Sequence, residues 1–316
     1  MNYADKKVLL IGGNGTLGTH VCNELLKLGC SVEILCRSAY TSDNPKLSYR
    51  QANASLENLT DLLLDNHYDG IVNFMHYPTL EEYIPVHKVL MAGTDHLIFL
   101  SSYRIYANEQ VPITESAPRL LETVDDPDFL ANETYALPKC RCEDFMKAEN
   151  PKGHWTAVRP VICSSFKRFD IFTHSDHAVI ESAKAGKVLP VPQEARNLTA
   201  GIDWAGNGGK LIAHLLFKPE TFGEAYTVST GQNLTWEQVA NIYTQLLGAK
   251  FEWVSMAEFL GDSANNQKHS PWAIKYDRMC DRKVDVSKIM AATGLTPKDF
   301  LPVKEGIAIE LAKVTK

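Results

Sequence analysis

Tyr135-Ala136-Leu137-Pro138-Lys139 sets a phenol and an ammonium four residues apart, which places both on one face of a helix. A free tyrosine loses its proton near pH 10, and a neighbouring cation favours the phenolate. A phenolate formed near neutral pH can take a proton from a carbinol, and the phenol can return it to a carbonyl oxygen. The spacing has little specificity alone, because Tyr3 and Lys7 repeat it at the N-terminus. Tyr135 differs in its context. It lies on a helical segment downstream of the apolar run His96–Leu100, which ends in Ser101 and Ser102. Hydroxyls at the end of one element and a phenol at the start of the next could converge on one oxygen.

The elements that would position these residues begin with the apolar run Lys6–Ile11, followed by Gly12-Gly13-Asn14-Gly15-Thr16-Leu17-Gly18 and an apolar-periodic segment. That is strand, tight turn and helix. Glycines there allow a sharp turn, a close approach by pyrophosphate, and helix packing on the strand. The helix N-terminus then offers free N–H groups to phosphate. Gly12, Asn14, Gly15, Thr16, Leu17 and Gly18 are therefore expected to bind a dinucleotide.

The same alternation continues. Strands are expected at 31–36, 47–51, 70–75, 96–102 and 154–159, with helices at 55–66, 79–92 and 134–149. Strands separated by helical segments imply a doubly wound parallel sheet, an α/β Rossmann fold. Residues 1–163 form the expected dinucleotide-binding domain. Residues 164–316 form a smaller, mixed substrate lobe that partly completes the sheet, with helices at 178–185, 204–216, 236–247, 286–293 and 303–314 and strands at 225–229 and 251–254.

Composition narrows the classes. A net charge of −6 over 316 residues gives no basic footprint for nucleic acid or anionic membranes. No leader sequence and no apolar run of membrane-spanning length is read, so a cytoplasmic protein is expected. The seven cysteines are irregularly spaced and suggest no disulfide framework. Cys140 and Cys142 point to different faces of one helix, and the histidines form no i, i+4 pair, so no metal site is expected.

Taken together, the motifs make the chain resemble the extended short-chain dehydrogenase/reductases, the family of nucleotide-sugar epimerases and dehydratases. The matching pieces are Gly-x-x-Gly-x-x-Gly at 12–18, Leu100-Ser101-Ser102-Tyr103-Arg104-Ile105-Tyr106, Tyr135-x-x-x-Lys139, Thr114-Glu115, Val158-Arg159-Pro160, Ile202-Asp203, Gly223-Glu224-Ala225-Tyr226 and Asp285-x-Ser287-Lys288. They stand in family order and span nearly the whole chain.

The resemblance implies Tyr135 as acid/base, Lys139 as the group that lowers its pKa and holds the nicotinamide ribose, and Ser102 as the polarising hydroxyl. Tyr103 and Arg104 occupy the positions where sugar 4,6-dehydratases carry an Asp-Glu pair, which disfavours a dehydratase. Cys36 stands where NAD-preferring members place an acidic residue, and Arg37 follows it. An arginine there suits a 2′-phosphate, so NADP is favoured over NAD. Asn53 resembles the residue that meets adenine. Met75-His76-Tyr77 replace the family's small residues near the cofactor, which puts Met75 beside the cofactor. His76 either reaches the pocket or packs at the strand end. Arg196, Arg278 and Arg282 resemble arginines near a substrate diphosphate, with surface placement as the alternative. Trp204 is expected to pack in the core. Trp272 and Tyr276 are expected to line the substrate lobe or to close it. Helices 79–92 and 134–149 resemble those of the family's homodimer interface.

The implied activity is NAD(P)-dependent hydride transfer at a carbinol or keto carbon, with a nucleotide sugar as the expected substrate. Two alternatives stay open: a reductase of a small ketone or aldehyde, and a non-catalytic dinucleotide sensor or RNA-binding protein.

Overall fold

The computed structural model describes residues 3–175, 177–261 and 271–315. In chain order the strands are β1 (Lys7–Ile11), β2 (Ser31–Cys36), β3 (Leu47–Gln51), β4 (Gly70–Asn73), β5 (Leu97–Leu100), β6 (Trp155–Pro160), β7 (Ile162–Ser164), β8 (Val188–Pro192), β9 (Ile202–Trp204), β10 (Glu224–Val228) and β11 (Lys250–Val254). One seven-stranded sheet has the order β10-β6-β5-β4-β1-β2-β3, and its neighbouring strands all pair in parallel. Val8–Ile11, Ile71, Val72, Ile98 and Phe99 have no exposed surface. Such continuous burial belongs to strands covered on both faces, which is why they read as unbroken apolar runs.

Helices α1 (Thr16–Lys27), α2 (Leu56–Leu64), α3 (Leu80–Ala92), α4 (Leu120–Thr123), α5 (Pro127–Asn132), α6 (Ala136–Glu149), α7 (Ala178–Lys184), α8 (Ala205–Ala213) and α9 (Trp236–Leu247) follow in chain order. Leu17, Val21 and Leu25 of α1 share an apolar cluster with Leu211 and Ile212 of α8 and with Val8, Leu10 and Val72 of the sheet. On the opposite face, Leu59 of α2, Tyr83 and Leu90 of α3, and Cys142 and Met146 of α6 pack on Leu9, Ile11 and Phe99. β10 and α8, both from beyond residue 163, thus belong to the sheet layers. A third cluster gathers Phe172, Val179, Val191, Trp236 and Phe259 around the small sheets β7-β9 and β8-β11. Among the described residues no helix is long and apolar enough to cross a membrane.

The strand order reverses between β1 and β4, so a crevice opens beyond their carboxyl ends. Several element ends differ from those the sequence suggests, and those of β4 and β5 border this crevice. β4, expected to run to residue 75, ends at Asn73. The Asn73 side chain there accepts from the Met75 N–H (3.1 Å) and donates to Tyr77 (3.0 Å), which turns the chain away. β5 ends at Leu100 rather than 102, because Ser102 caps a short 3₁₀ turn, Tyr103–Ile105. The helix expected from residue 134 starts at Ala136. The helix expected to reach 216 ends at Ala213. Strands β7, β8 and β9 had no sequence signal, since three to five residues are too few to show a period.

α6 is tied to the sheet by a buried ion pair. Arg159 of β6 donates to both carboxylate oxygens of Glu143 (3.1 and 2.5 Å) and also to Tyr106 and the Glu115 carbonyl. Burial alone would raise the Glu143 pKa, but Arg159 outweighs it and holds the group below the usual range. Such a pair is costly to break, because either partner left alone is a buried charge.

At the entry to β5, His96 is buried in a fixed relay. The Phe217 N–H donates to its Nδ1 (3.0 Å), so Nε2 carries the proton toward Thr156 (2.8 Å), whose hydroxyl donates to the Thr221 carbonyl (2.7 Å). Burial pushes the His96 pKa down to about 3, against about 6.5 in an unfolded chain. The folded form therefore stays neutral where the unfolded form binds a proton. Its stabilising contribution is complete above pH 6.5 and falls with acidification, by about 1.4 kcal/mol per pH unit down to the folded pKa. Denaturation midpoints measured between pH 7 and 4.5 should fall in the wild type, and His96→Gln should flatten that slope. An unchanged slope would contradict the buried neutral imidazole.

Candidate active site

The glycine turn after β1 is shaped by steric limits of two kinds. Gly12 has φ of +77°, a conformation that disfavours side chains. A Cβ on Gly18 would lie 2.6 Å from the Gly13 Cα, so the start of α1 rests directly on the turn. Gly15 is different. A Cβ there would meet protein only at the Gly12 carbonyl, 3.6 Å away. Among the described residues no side chain or backbone crowds that place, and Gly15 lines an open cavity. Gly15 is also the N-cap of α1, with no side-chain cap and no acidic residue in the first turn. The turn therefore presents unoccupied donors and a bare backbone, which fits a dinucleotide pyrophosphate. Lys167, from the loop after β7, donates to the Asn14 carbonyl (2.8 Å) and ties that loop to the turn.

The cavity holds about 440 Å³. It runs from Gly12 and Gly15–Gly18 past Leu100, Ser101 and Ser102 to Tyr135, and ends against Arg168, Ala273, Asp277 and Arg278. A π-helical turn, Ile274–Arg278, delivers the last two residues.

Tyr135 is not inside the helix but caps it, with φ of −126° and ψ of −61°. Glu133 does the capping chemistry. Its carboxylate accepts from the N–H groups of Tyr135 (3.0 Å) and Leu137 (2.9 Å). This carboxylate at the α6 N-terminus has the favourable sign for the helix dipole. The Tyr135 ring lies against the Arg104 guanidinium (4.9 Å) and the His76 ring (5.4 Å). Its hydroxyl makes no hydrogen bond to any described residue, and it borders the cavity.

Ser102 is buried, and its oxygen accepts from the Arg104 N–H (3.2 Å). With that lone pair engaged, the hydroxyl proton is free for a ligand. Lys139 is buried too, but its ammonium does not reach the cavity wall. It donates to the carbonyls of Met75 (3.1 Å) and Leu100 (2.5 Å), at the ends of β4 and β5. Burial lowers its pKa to about 8. His76 is held by the Thr134 carbonyl (2.8 Å), and its pKa is lowered by burial and by Lys139.

The far end of the cavity is dense with charge. Arg278 pairs with Asp170 and Asp277, each at 3.1 Å. Arg168 donates to the same Asp170 oxygen, Oδ2, with contacts of 3.0 and 2.7 Å. Arg282 is buried, donates to the Tyr106 and Tyr276 carbonyls, and lies 3.5 Å from Asp277. Burial pushes the Asp277 pKa up, but Arg278, Arg104 and Arg282 outweigh it and hold the carboxyl below its ordinary range.

Other residues named from sequence lie apart from the cavity. Arg37 and Asn53 are exposed beyond the carboxyl ends of β2 and β3. The end of β2 stands beside the glycine turn, because the Gly12 N–H donates to the Leu35 carbonyl (2.9 Å). Met75 approaches the turn, its sulfur 3.2 Å from where a Gly12 Cβ would stand. Arg196 does not line the cavity. It pairs with Glu237 and lies over the Trp253 ring (5.5 Å). Trp204 packs against His20 and donates to Glu310. Trp272 and Tyr276 pack around Phe129 (6.1 and 4.3 Å), and neither lines the cavity. Among the described residues no group of three His, Cys, Asp or Glu side chains could hold a metal ion.

No protein-family model and no curated protein matches the chain. Solved structures do. The epimerase Mth375 of Methanothermobacter thermautotrophicus superposes with a TM-score of 0.74 at 14% identity, covering 99% of this chain and 93% of its own. The UDP-N-acetylglucosamine 4-epimerase of Bacillus cereus gives 0.69 at 17%, covering 98% and 97%. MoeE5, solved with UDP-glucose and NAD, gives 0.68 at 18%, covering 97% of each chain. The chain shares the fold of these structures, a parallel α/β sheet of the Rossmann type covered by helices on both faces.

Within this fold the structure brings Ser102, Tyr135 and the glycines expected from sequence to one cavity, and leaves Lys139 outside its lining. Sequence reading missed Arg104 as a partner of Tyr135, Arg168 and Asp170 at the far end, and Glu133 as the cap. A Glu two residues before Tyr135 was the only available signal for the cap. Arg168-x-Asp170 lies in a loop with no periodic pattern.

The two kinds of glycine give separable outcomes. Gly15→Ala should melt as the wild type does but bind dinucleotide at least about tenfold more weakly, since its methyl fills ligand space. Gly18→Ala should lower the melting temperature, because its methyl meets backbone. Calorimetry and cofactor titration would check both. Unchanged affinity in Gly15→Ala would contradict the assignment.

Proposed function

We propose that the chain is an NAD(P)-dependent oxidoreductase or epimerase that transfers hydride at a carbinol or keto carbon, with a nucleotide sugar as its substrate. One observation carries this reading. A single cavity joins the glycine turn, whose Gly15 has open space in front of it, to Tyr135 and to the free hydroxyl proton of Ser102. The nucleotide sugars named for the structural neighbours support the substrate class.

The nicotinamide, when bound, supplies the hydride acceptor or donor. Tyr135 takes the proton of the carbinol or returns it to the carbonyl oxygen. Ser102 donates to that same oxygen and stabilises charge as it develops there. Lys139 acts first through position. By holding the carbonyls at the ends of β4 and β5, it fixes the first turn of α6, and with it Tyr135, relative to the sheet. An epimerase would oxidise the carbinol, turn the keto intermediate and reduce it from the other face. A reductase would stop after one transfer.

Arg37 supports NADP as the cofactor. It stands exposed beyond β2, where a guanidinium can pair with a 2′-phosphate.

Purified protein mixed with nucleotide sugars or simple carbonyls should change cofactor absorbance or yield epimers with at least one of them. Tyr135→Phe should reduce that turnover by about 10²-fold or more while cofactor affinity stays within about twofold. Unchanged turnover would remove Tyr135 as the acid/base. In separate titrations the wild type should bind NADP⁺ more tightly than NAD⁺, and Arg37→Ala should weaken NADP⁺ about tenfold while sparing NAD⁺. Tighter NAD⁺ binding by the wild type would overturn the NADP preference.

A further inference from the structure

Arg104 has a place and a charge that the proposed chemistry does not use. It follows Ser102 by two residues, and its guanidinium lies 4.9 Å from the centre of the Tyr135 ring. Its cation is therefore at the reacting end of the cavity rather than at the phosphate end. Its one ionic contact is long, 3.5 Å from Nε to Asp277 Oδ2, and its side chain is 26% exposed. Among the described residues neither terminal nitrogen of Arg104 has a hydrogen-bond partner.

Asp277 cannot neutralise it fully, because Arg278 and Arg282 share the same carboxylate. Asp170 is likewise shared between Arg168 and Arg278. Four guanidiniums thus stand around two carboxylates at this end of the cavity. An uncompensated cation in a partly dry site is unfavourable, and the occupant that relieves it is an anion. Two free N–H-bearing nitrogens on a planar fork suit a carboxylate in a bidentate contact. A neutral hydroxymethyl group at that place would leave the fork unpaired.

We propose that Arg104 is a specificity-determining residue that seats an anionic group of the substrate beside the carbon reacting at Tyr135, so that the substrate is an acid such as a nucleotide-linked uronic acid. The naming of a nucleotide-linked acid rests on the function proposed above. The requirement for an anion rests on Arg104 and the unbalanced charge alone.

The test uses the cofactor-loaded protein and two matched pairs of probes, UDP-glucuronate with UDP-glucose and free glucuronate with free glucose, titrated by calorimetry. The wild type should bind UDP-glucuronate at least tenfold more tightly than UDP-glucose. Arg104→Gln should abolish that preference by weakening the acid alone, leaving UDP-glucose within twofold, and Arg104→Lys should restore part of it. Melting temperatures report whether each variant folds. If Arg104→Gln does not fold, the wild-type preference and its partial retention in Arg104→Lys decide the matter. No acid preference in the wild type, or equal weakening of acid and neutral sugar in Arg104→Gln, would overturn the proposal. If neither UDP-sugar binds, the nucleotide-sugar reading fails by itself and the free pair decides. Glucuronate preference lost in Arg104→Gln would then uphold the anion seat, and no preference or no binding would overturn it.

Discussion

The contact between α1 and the turn that follows β1 leaves no room for a side chain, and much of the site depends on it. Gly18 lies so close to Gly13 that a methyl would sit 2.6 Å from backbone. That approach brings the α1 N-terminus over the end of β1, at the place where the strand order reverses. Helix, turn and crevice then coincide. The same contact aligns Leu17, Val21 and Leu25 with α8 beneath them, so the geometry of the turn and the burial of one face of the sheet are a single arrangement.

The opposite wall is held by charge rather than by close packing. Arg159 and Glu143 lock α6 to β6, Glu133 satisfies its first N–H groups, and Lys139 anchors it to the ends of β4 and β5. Each of these groups is buried with its partner, so each would be costly to remove singly. Their combined effect is to fix Tyr135, which itself makes no hydrogen bond to any described residue. A rigid support under an unengaged hydroxyl is what proton transfer to a ligand requires. Beyond Tyr135 the balance shifts, because Arg104, Arg168, Arg278 and Arg282 outnumber Asp170 and Asp277.

Much of this was legible in the residues. The glycine turn, the unbroken apolar runs of β1, β4 and β5, and the placing of Ser102 and Tyr135 beside a crevice all follow from local pattern. What escaped depends on contacts distant in sequence or made by backbone. The partners of Lys139 are carbonyls, which no sequence displays. From sequence Arg104 reads only as a residue unable to supply a dehydratase carboxylate, and its contact with Tyr135 comes from the 3₁₀ turn that aims it there. Arg168 and Asp170 lie in a loop closed by two tight turns, Ser165–Arg168 and Ile171–His174. Within it Phe172 adopts φ of +52°, a conformation that its sequence does not signal. Strand ends were misplaced where side chains, Asn73 and Ser102, rather than breaker residues turn the chain. The comparison with solved structures adds the fold, at 14–18% identity, and leaves the pocket chemistry to this chain's own residues.

The central claim is that one cavity holds the dinucleotide on the glycine turn with its reactive ring beside Tyr135. A crystal structure of the protein with oxidised dinucleotide tests it most directly. The account predicts pyrophosphate against Gly15–Gly18 and the nicotinamide next to Tyr135 and Ser102. A dinucleotide bound elsewhere, or on the turn with its nicotinamide directed away from Tyr135, would contradict it.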